Sequence, residues 1–286
     1  MRLRNNFIKN GIFALAMVFA FAECNKVDYP PLGSYPTDSN PPGGPIKFYT
    51  AYDGINADSI RAVFANTDSS TTYTSGITGQ AIQFNPILAA SGADSVYSFL
   101  VYPNANDFAS STSFTLSWWM KIPLSQKDNV NADGIIALSS TKNFWGNITV
   151  YADHYNGNSD SMQLKFHFAN GPGDNWDFAG YTGVNMWPGM YDGLWHQVVF
   201  TYDATTSTAT LYRDGVKFDQ KTGETIAFDG NASSLIVGGF QQAAGITDNY
   251  ADNGWMSGFP GAIDQIQLIG EAYTSDQVAS SFANKN

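Results

Sequence analysis

From Trp195 to Tyr202 successive residues alternate between two faces. His196, Val198, Phe200 and Tyr202 fall on one, and Trp195, Gln197, Val199 and Thr201 on the other. A side-chain period of two over such a run predicts a β-strand. A polar loop, Asp203 to Ser207, follows, and Thr208 to Arg213 reads as a second strand. Asp214-Gly215 then supplies a tight hairpin turn, because Gly tolerates the positive φ that such turns need. Val216 to Gln220 returns as a third strand. A β-meander of this kind needs sheets to pack against, and the rest of the chain must supply them.

Strand signals recur from Ile46 onward. They fall at Ile46 to Ala51, Gly79 to Phe84, Ser95 to Val101, Phe114 to Ile122, Gly134 to Ser139, Asn147 to Tyr151, Met162 to Phe168, Asp177 to Tyr181, Ser234 to Gly238 and Ala262 to Ile269. The helical candidate is Thr274 to Ala283, with Thr274 or Ser275 as its cap. Many short strands separated by turn residues predict an all-β sandwich or barrel. The acidic residues agree: 22 of the 25 are Asp and three are Glu (Glu23, Glu224, Glu271), and Asp favours turns. A net charge of −11 with 14 Lys and Arg argues against nucleic acid or an anionic membrane as partner.

The chain divides into three parts. Residues 1–23 read as a signal peptide: Arg2, Arg4 and Lys9 precede an apolar run, Ile12 to Ala22, that is short for a membrane span. Cys24 follows, the one cysteine of the chain. The context resembles a bacterial lipoprotein signal, in which the cysteine is lipidated and becomes the first residue. Ala20-Phe21-Ala22 also fits an ordinary secretory cleavage site. Residues 24–45 carry six of the twelve prolines, all between Asn25 and Pro45, and form a Pro/Gly/Ser-rich tether. Residues 46–286 are the folded domain. The expected location is across the inner membrane, at the outer membrane or cell surface, with membrane contact through the lipid anchor.

Four segments in order resemble the laminin-G-like branch of the concanavalin A-like lectin and glucanase superfamily. They are Gly79-Gln80-Ala81-Ile82-Gln83-Phe84, Phe114-Thr115-Leu116-Ser117-Trp118-Trp119-Met120-Lys121, the run Trp195-His196-Gln197-Val198 with Thr201-Tyr202-Asp203 and Leu211-Tyr212-Arg213-Asp214-Gly215, and Gly261-Ala262-Ile263-Asp264-Gln265-Ile266. The resemblance implies a jelly-roll sandwich of two curved antiparallel sheets, here with a short C-terminal helix. It also implies a structural Ca²⁺ bound by the Asp of the closing strand. Asp264 stands at that position, and Asp53 is its expected partner, since hard cations take carboxylate and carbonyl oxygens. Asp248, Asn249 and Asp252 are a second candidate cation site.

Enzymatic chemistry finds little support in the residues. Glycoside hydrolysis generally requires two carboxyl groups flanking the scissile bond. Glu224 and Glu271 are the mature chain's Glu residues, and neither has a second carboxylate at strand spacing. A hydrolase built on Asp is the weaker alternative. His167 and His196 lie in strand patterns and read as structural, whereas His154 lies in a polar, aromatic loop.

Binding chemistry is better represented. Sugars present C–H faces to aromatic rings and hydroxyls to Asp, Asn and Gln. Trp145, Tyr151, His154, Tyr155, Trp176, Asp177 and Trp187 fall in one stretch of that composition, and Tyr250 and Trp255 in a second. Trp119 lies opposite the Phe114/Leu116/Trp118 face. It is a stacking platform if that face lines the concave sheet, and otherwise covers the outer side. The expected function is non-catalytic glycan or polysaccharide binding at the cell surface, with a protein-binding adhesin module as the alternative.

Overall fold

A computed structural model describes residues 43–68, 70–85, 98–127, 131–153, 161–170, 175–178, 187–230, 234–246 and 255–286, with the backbone alone at 67–68, 106 and 175–178. The leader, Cys24 and most of the tether lie outside these residues, as do His154, Tyr155, Asp248, Asn249, Tyr250 and Asp252. The strands are β1 (Ile46–Thr50), β2 (Ala57–Asp58), β3 (Val63–Phe64), β4 (Thr67–Asp68), β5 (Thr72–Ser75), β6 (Gln80–Gln83), β7 (Leu100–Tyr102), β8 (Phe114–Lys121) and β9 (Ala132–Leu138). They continue with β10 (Ile148–Asp153), β11 (Gln163–Ala169), β12 (Asn175–Phe178), β13 (His196–Asp203), β14 (Thr208–Arg213), β15 (Val216–Thr222), β16 (Leu235–Val237), β17 (Met256–Gly258) and β18 (Ala262–Ile269). One helix, α1 (Ser275–Asn284), closes the described chain.

The first sheet runs β15-β14-β13-β8-β18-β6-β5, with β1 paired to β18, and the second runs β12-β11-β10-β9-β16-β7-β4, with β17 parallel to β9. The architecture is the expected all-β sandwich, and the meander is its edge: β13, β14 and β15 pair in sequence order. The hairpin turn between β14 and β15 has φ of +51° at Asp214 and +77° at Gly215. Two successive positive φ values match the right-handed twist of the strands they join. Asp214 does more than turn the chain. Its carboxylate accepts from the Gln197 backbone N–H and the His196 ring, while Asp192 faces the other ring nitrogen. That hydrogen bond to Asp214 raises the His196 pKa against the opposing effect of burial.

Alternation puts Phe114, Leu116 and Trp118 of β8 and Val198, Phe200 and Tyr202 of β13 on the inner face, where all six are buried. Leu164, Phe166 and Phe168 of β11 meet them from the opposite sheet. Phe168 stacks on Phe200 with ring centroids 4.2 Å apart, and Phe166 lies 5.6 Å from the same ring. These contacts join the two sheets. Burying rings of this size dominates core energetics, and offset stacking adds to area burial.

The outer face of the first sheet is closed by α1. Thr274 accepts from the Gln277 backbone N–H and the Gln277 side chain accepts in return, a reciprocal cap. Val278 then packs on Val199 and Tyr212.

Replacing Phe168 with Ala removes the ring that bridges the sheets. The expected loss is about 3–5 kcal/mol of unfolding free energy. It is measured as a lower urea midpoint with an unchanged m-value.

Candidate binding site

Strands β10 and β11 pack apolar side chains into the core, the aromatic ones from β11, and also build the opposite, outer surface. On β10, Ile148, Val150 and Ala152 join the core, which turns Thr149, Tyr151 and Asp153 outward. On β11, Leu164, Phe166 and Phe168 point inward, which turns Gln163, Lys165 and His167 outward. Register sets Tyr151 opposite Lys165 and Thr149 opposite His167. Two diagonal pairs result. Lys165 Nζ lies 2.6 Å from Asp153 Oδ2, and the Tyr151 hydroxyl lies 3.2 Å from His167 Nε2. Lys165 also stands 5.7 Å from the Tyr151 ring centroid, within cation–π range.

Trp145 lies flat above this floor. Its ring is 4.1 Å from His167 with planes 3° apart, and 5.7 Å from Tyr151 with planes 6° apart. The loop that carries it is fixed from beneath. Gln241, fully buried, sends its side-chain N–H groups toward the carbonyls of Asn143 (2.7 Å), Phe144 (3.0 Å) and Ser140 (3.3 Å), and its Oε1 accepts from Ser140 N–H at 2.9 Å. Gln242 donates to the Phe144 carbonyl at 2.6 Å. The Thr149 hydroxyl donates to the Trp145 carbonyl oxygen. Gly146, at φ +75°, has no room for a Cβ, which would meet the Leu138 carbonyl and the Gln241 side chain.

Trp255 completes the surface. Its carbonyl accepts from Ala132 N–H at 2.8 Å, just where β17 joins β9. The indole is 38% exposed and leans against Trp145, centroids 5.8 Å apart and planes at 49°. Phe240 packs edge-on to it, and Phe144 edge-on to Trp145. The result is a buried polar floor, a fixed ring layer over it, and an exposed indole at the rim.

Among the predicted residues, Trp145, Tyr151 and Trp255 therefore come together. Trp119 and Trp187 do not join them, which corrects the expectation for both. Trp119 is on the outer face of the first sheet but is only 2% exposed, stacked on Phe282 of α1 at 5.4 Å, so its own helix occupies the surface a ligand would need. Trp187 is fully buried in the core and stacks on Phe218 of β15 at 4.3 Å. Trp176 and Asp177 fall in β12, whose register sets them opposite Phe168 and His167. His167, read from the sequence as structural, is the residue under the Trp145 ring. The alternation of Lys165, Phe166, His167 and Phe168 is the signal that places it on the outer face. Lys165 is placed outward by the same alternation, whereas Phe240, Gln241 and Gln242 carry no local signature.

Two nearby carboxylates are not arranged as a hydrolytic pair. Register sets Asp133 of β9 opposite Ala152, on the inward side, where it is fully buried and accepts from the Ser257 hydroxyl. Asp153, the next residue along β10, faces outward to Lys165.

Asp53 and Asp264 converge elsewhere, on the tight turn 76–80 before β6. Asp264 Oδ2 accepts from Ile77 N–H at 2.8 Å, and Asp53 Oδ1 accepts from Gln80 N–H at 2.7 Å. A Cβ at Gly76 would strike Asp264, and one at Gly79 would strike Asp53. Asp264 Oδ1 is buried with no hydrogen-bond partner. Burial pushes the Asp264 carboxyl up to about 7, against the backbone N–H groups that hold it down, and the Asp53 charge adds to the rise. Among the described residues no group of three or more His, Cys, Asp or Glu is assembled.

The family described as the concanavalin A-like lectin/glucanases superfamily, of laminin-G type, matches residues 90–279, and the chain belongs to it. No curated protein sequence matches the chain. Solved structures share the fold at low identity. The binding domain of Paraclostridial Mosquitocidal Protein 1 aligns with a TM-score of 0.57 at 15% identity, over 84% of this chain and 52% of that one. Domain 4 of AbnA, an extracellular arabinanase from Geobacillus stearothermophilus solved with arabinotriose, aligns at 0.52 and 17% identity, over 82% of this chain and 97% of that one. The receptor binding domain of Botulinum neurotoxin type G aligns at 0.54 and 12% identity, over 84% and 51%. The chain thus spans about half the length of the toxin domains it matches. The fold is lectin-like and is shared with binding domains.

The fixed loop is open to direct test. Gln241→Ala strips a buried side chain from several backbone groups at once. A loss of about 2–4 kcal/mol is expected from buried groups left unpaired. The same variant should show red-shifted tryptophan emission before global unfolding in a urea titration, as the Trp145 loop loosens first.

Proposed function

We propose that this chain is a non-catalytic, surface-tethered glycan-binding protein. The observation that carries the reading is the Trp145 ring, held flat over Tyr151 and His167 beside the exposed Trp255. Stacking on sugar C–H faces needs a ring fixed in orientation with an open side, and immobilising it in advance lowers the entropic cost of binding. The lectin-like fold supports the reading, as does a neighbour solved with arabinotriose. The leader, Cys24 and the proline-rich stretch support a lipid-anchored position at the outer membrane. A protein partner is the competing reading, and the toxin receptor-binding neighbours are its support.

Trp145→Ala and Trp255→Ala are each expected to weaken saccharide binding at least about tenfold, equivalent to about 1.4 kcal/mol. Isothermal titration on ligands selected from a glycan array is the measurement, with circular dichroism to establish folding. An array that stays flat with folded wild-type protein would defeat the proposal.

We also propose a structural calcium held by Asp264 and Asp53 with backbone carbonyls near the turn 76–80. A buried carboxylate oxygen without a donor fits a hard cation. Bound there, the ion would neutralise both carboxylates and tie the start of the domain to its closing strand. The sign of the pH effect follows from linkage. The folded value of Asp264, about 7, lies above the unfolded value of about 3.9, so the fold favours the neutral carboxyl. Without a cation, this group's contribution is fully present below about pH 4 and is lost as pH rises through about 7. Calcium should therefore raise the melting temperature more at about pH 8 than at about pH 5, and Asp264→Asn should abolish the difference. Equal shifts at both pH values, or none over chelator, would count against the ion.

A further inference from the structure

We infer that the occupant of the Trp145–Trp255 surface is a single chain of uncharged saccharide. The inference rests on the glycan reading above and narrows it by charge and by ring geometry. Charge is the stronger observation. The described residues that supply the floor and the Trp145 ring, 143–153 and 161–170, hold one Lys or Arg and one acidic residue. That single cation is Lys165, which is 3% exposed and 2.6 Å from Asp153. The described residues around Phe240 and Trp255, 234–246 and 255–258, hold no Lys, Arg, Asp or Glu. Lys142 is exposed at the start of the Trp145 loop, whereas Arg213, Lys221 and Lys285 belong to β14, β15 and the end of α1 on the other sheet.

Recognition of a carboxylated or sulfated polymer works through forked or clustered cations that reach the anion. Here the one cation of the floor already serves an aspartate of the protein itself. A polyanion laid across this face would give up hydration with no uncommitted lysine of the described floor to answer its charge, and that penalty opposes binding. An uncharged sugar meets no such opposition, and its hydroxyls can pair with either sign.

The ring geometry limits the form of the ligand. The indoles of Trp145 and Trp255 touch, with centroids 5.8 Å apart and planes inclined by 49°. A flat crystalline polysaccharide face would require coplanar platforms. Two adjoining, inclined platforms suit consecutive rings of one chain that turn relative to each other along its length.

Native affinity electrophoresis of the purified chain tests this. The gels contain soluble neutral polymers (arabinan, arabinoxylan, mixed-linkage glucan, galactomannan) or acidic ones (polygalacturonate, alginate), and microcrystalline cellulose is tested by sedimentation. The expected result is retardation by at least one neutral polymer, with an affinity that changes less than about twofold between about 0.05 and 0.5 M salt, because no ion pair is there to be screened. Lys142→Glu should leave that retardation unchanged. Stronger retention by an acidic polymer, a steep salt dependence, loss of binding in Lys142→Glu, or binding to crystalline cellulose alone would each overturn the inference and leave glycan binding standing. Retention by none of the polymers, with the protein folded, would overturn both.

Discussion

The stacking of Phe168 and Phe166 on Phe200 across the sandwich fixes more than the core. Phe166 and Phe168 belong to β11, whose side chains alternate with a strict period of two. Holding Leu164, Phe166 and Phe168 inward leaves Gln163, Lys165 and His167 no position but the outer face. A slip of one residue would exchange the two sets and place a lysine and a histidine in the aromatic core. The sheet-to-sheet contact and the composition of the binding floor are therefore one constraint. Lys165 illustrates its consequence. A lysine carried onto a covered face must have its charge answered, and Asp153 sits one diagonal away to do so.

The two outer faces are completed differently, and that difference decides which can take a ligand. On the first sheet α1 lies across β8, β13 and β14: Val278 meets Val199 and Tyr212, Phe282 stacks on Trp119, and the Asn286 carbonyl oxygen accepts from Gln197 and from the Trp119 indole. The chain acts there as its own ligand. On the second sheet, loops rather than a helix bring the covering rings, and Trp255 remains open to solvent.

What could be read from the chain in advance follows from how local each cause is. The β13–β14–β15 meander was legible because alternation and an Asp-Gly turn are properties of neighbouring residues, and the structure places both where the pattern does. The strands β2 to β5 are two to four residues long, too short for a period to register. β17 has no alternation of its own and exists through parallel pairing with β9, a partner far away in sequence. Trp119 and Trp187 show the same limit at the level of side chains. Their strand or loop contexts allowed an exposed ring, and distant residues, Phe282 and Phe218, cover them. His167 is the opposite case, since its face was fixed by β11 alternation alone. What alternation lacked was the knowledge that Trp145 would lie over it.

The fixing of Trp145 also bears on how the site works. Gln241 and Gln242 hold the carbonyls of Ser140, Asn143 and Phe144, and the Thr149 hydroxyl holds that of Trp145 itself. Each of these groups is satisfied within the protein, so the loop backbone has no need of a ligand to complete it. The conformational entropy of that loop is lost on folding and does not recur as a cost of association. A ring prepared in this way can act through its shape and its face alone. This matters for a weakly polar partner such as a sugar ring, whose individual contacts are each too small to order a flexible loop and still leave a net affinity. The electrostatics point the same way: the one lysine of the described floor is engaged by Asp153. On the glycan reading proposed above, discrimination comes from contact between ring faces, and contact of that kind depends on the rigidity that the buried glutamines supply.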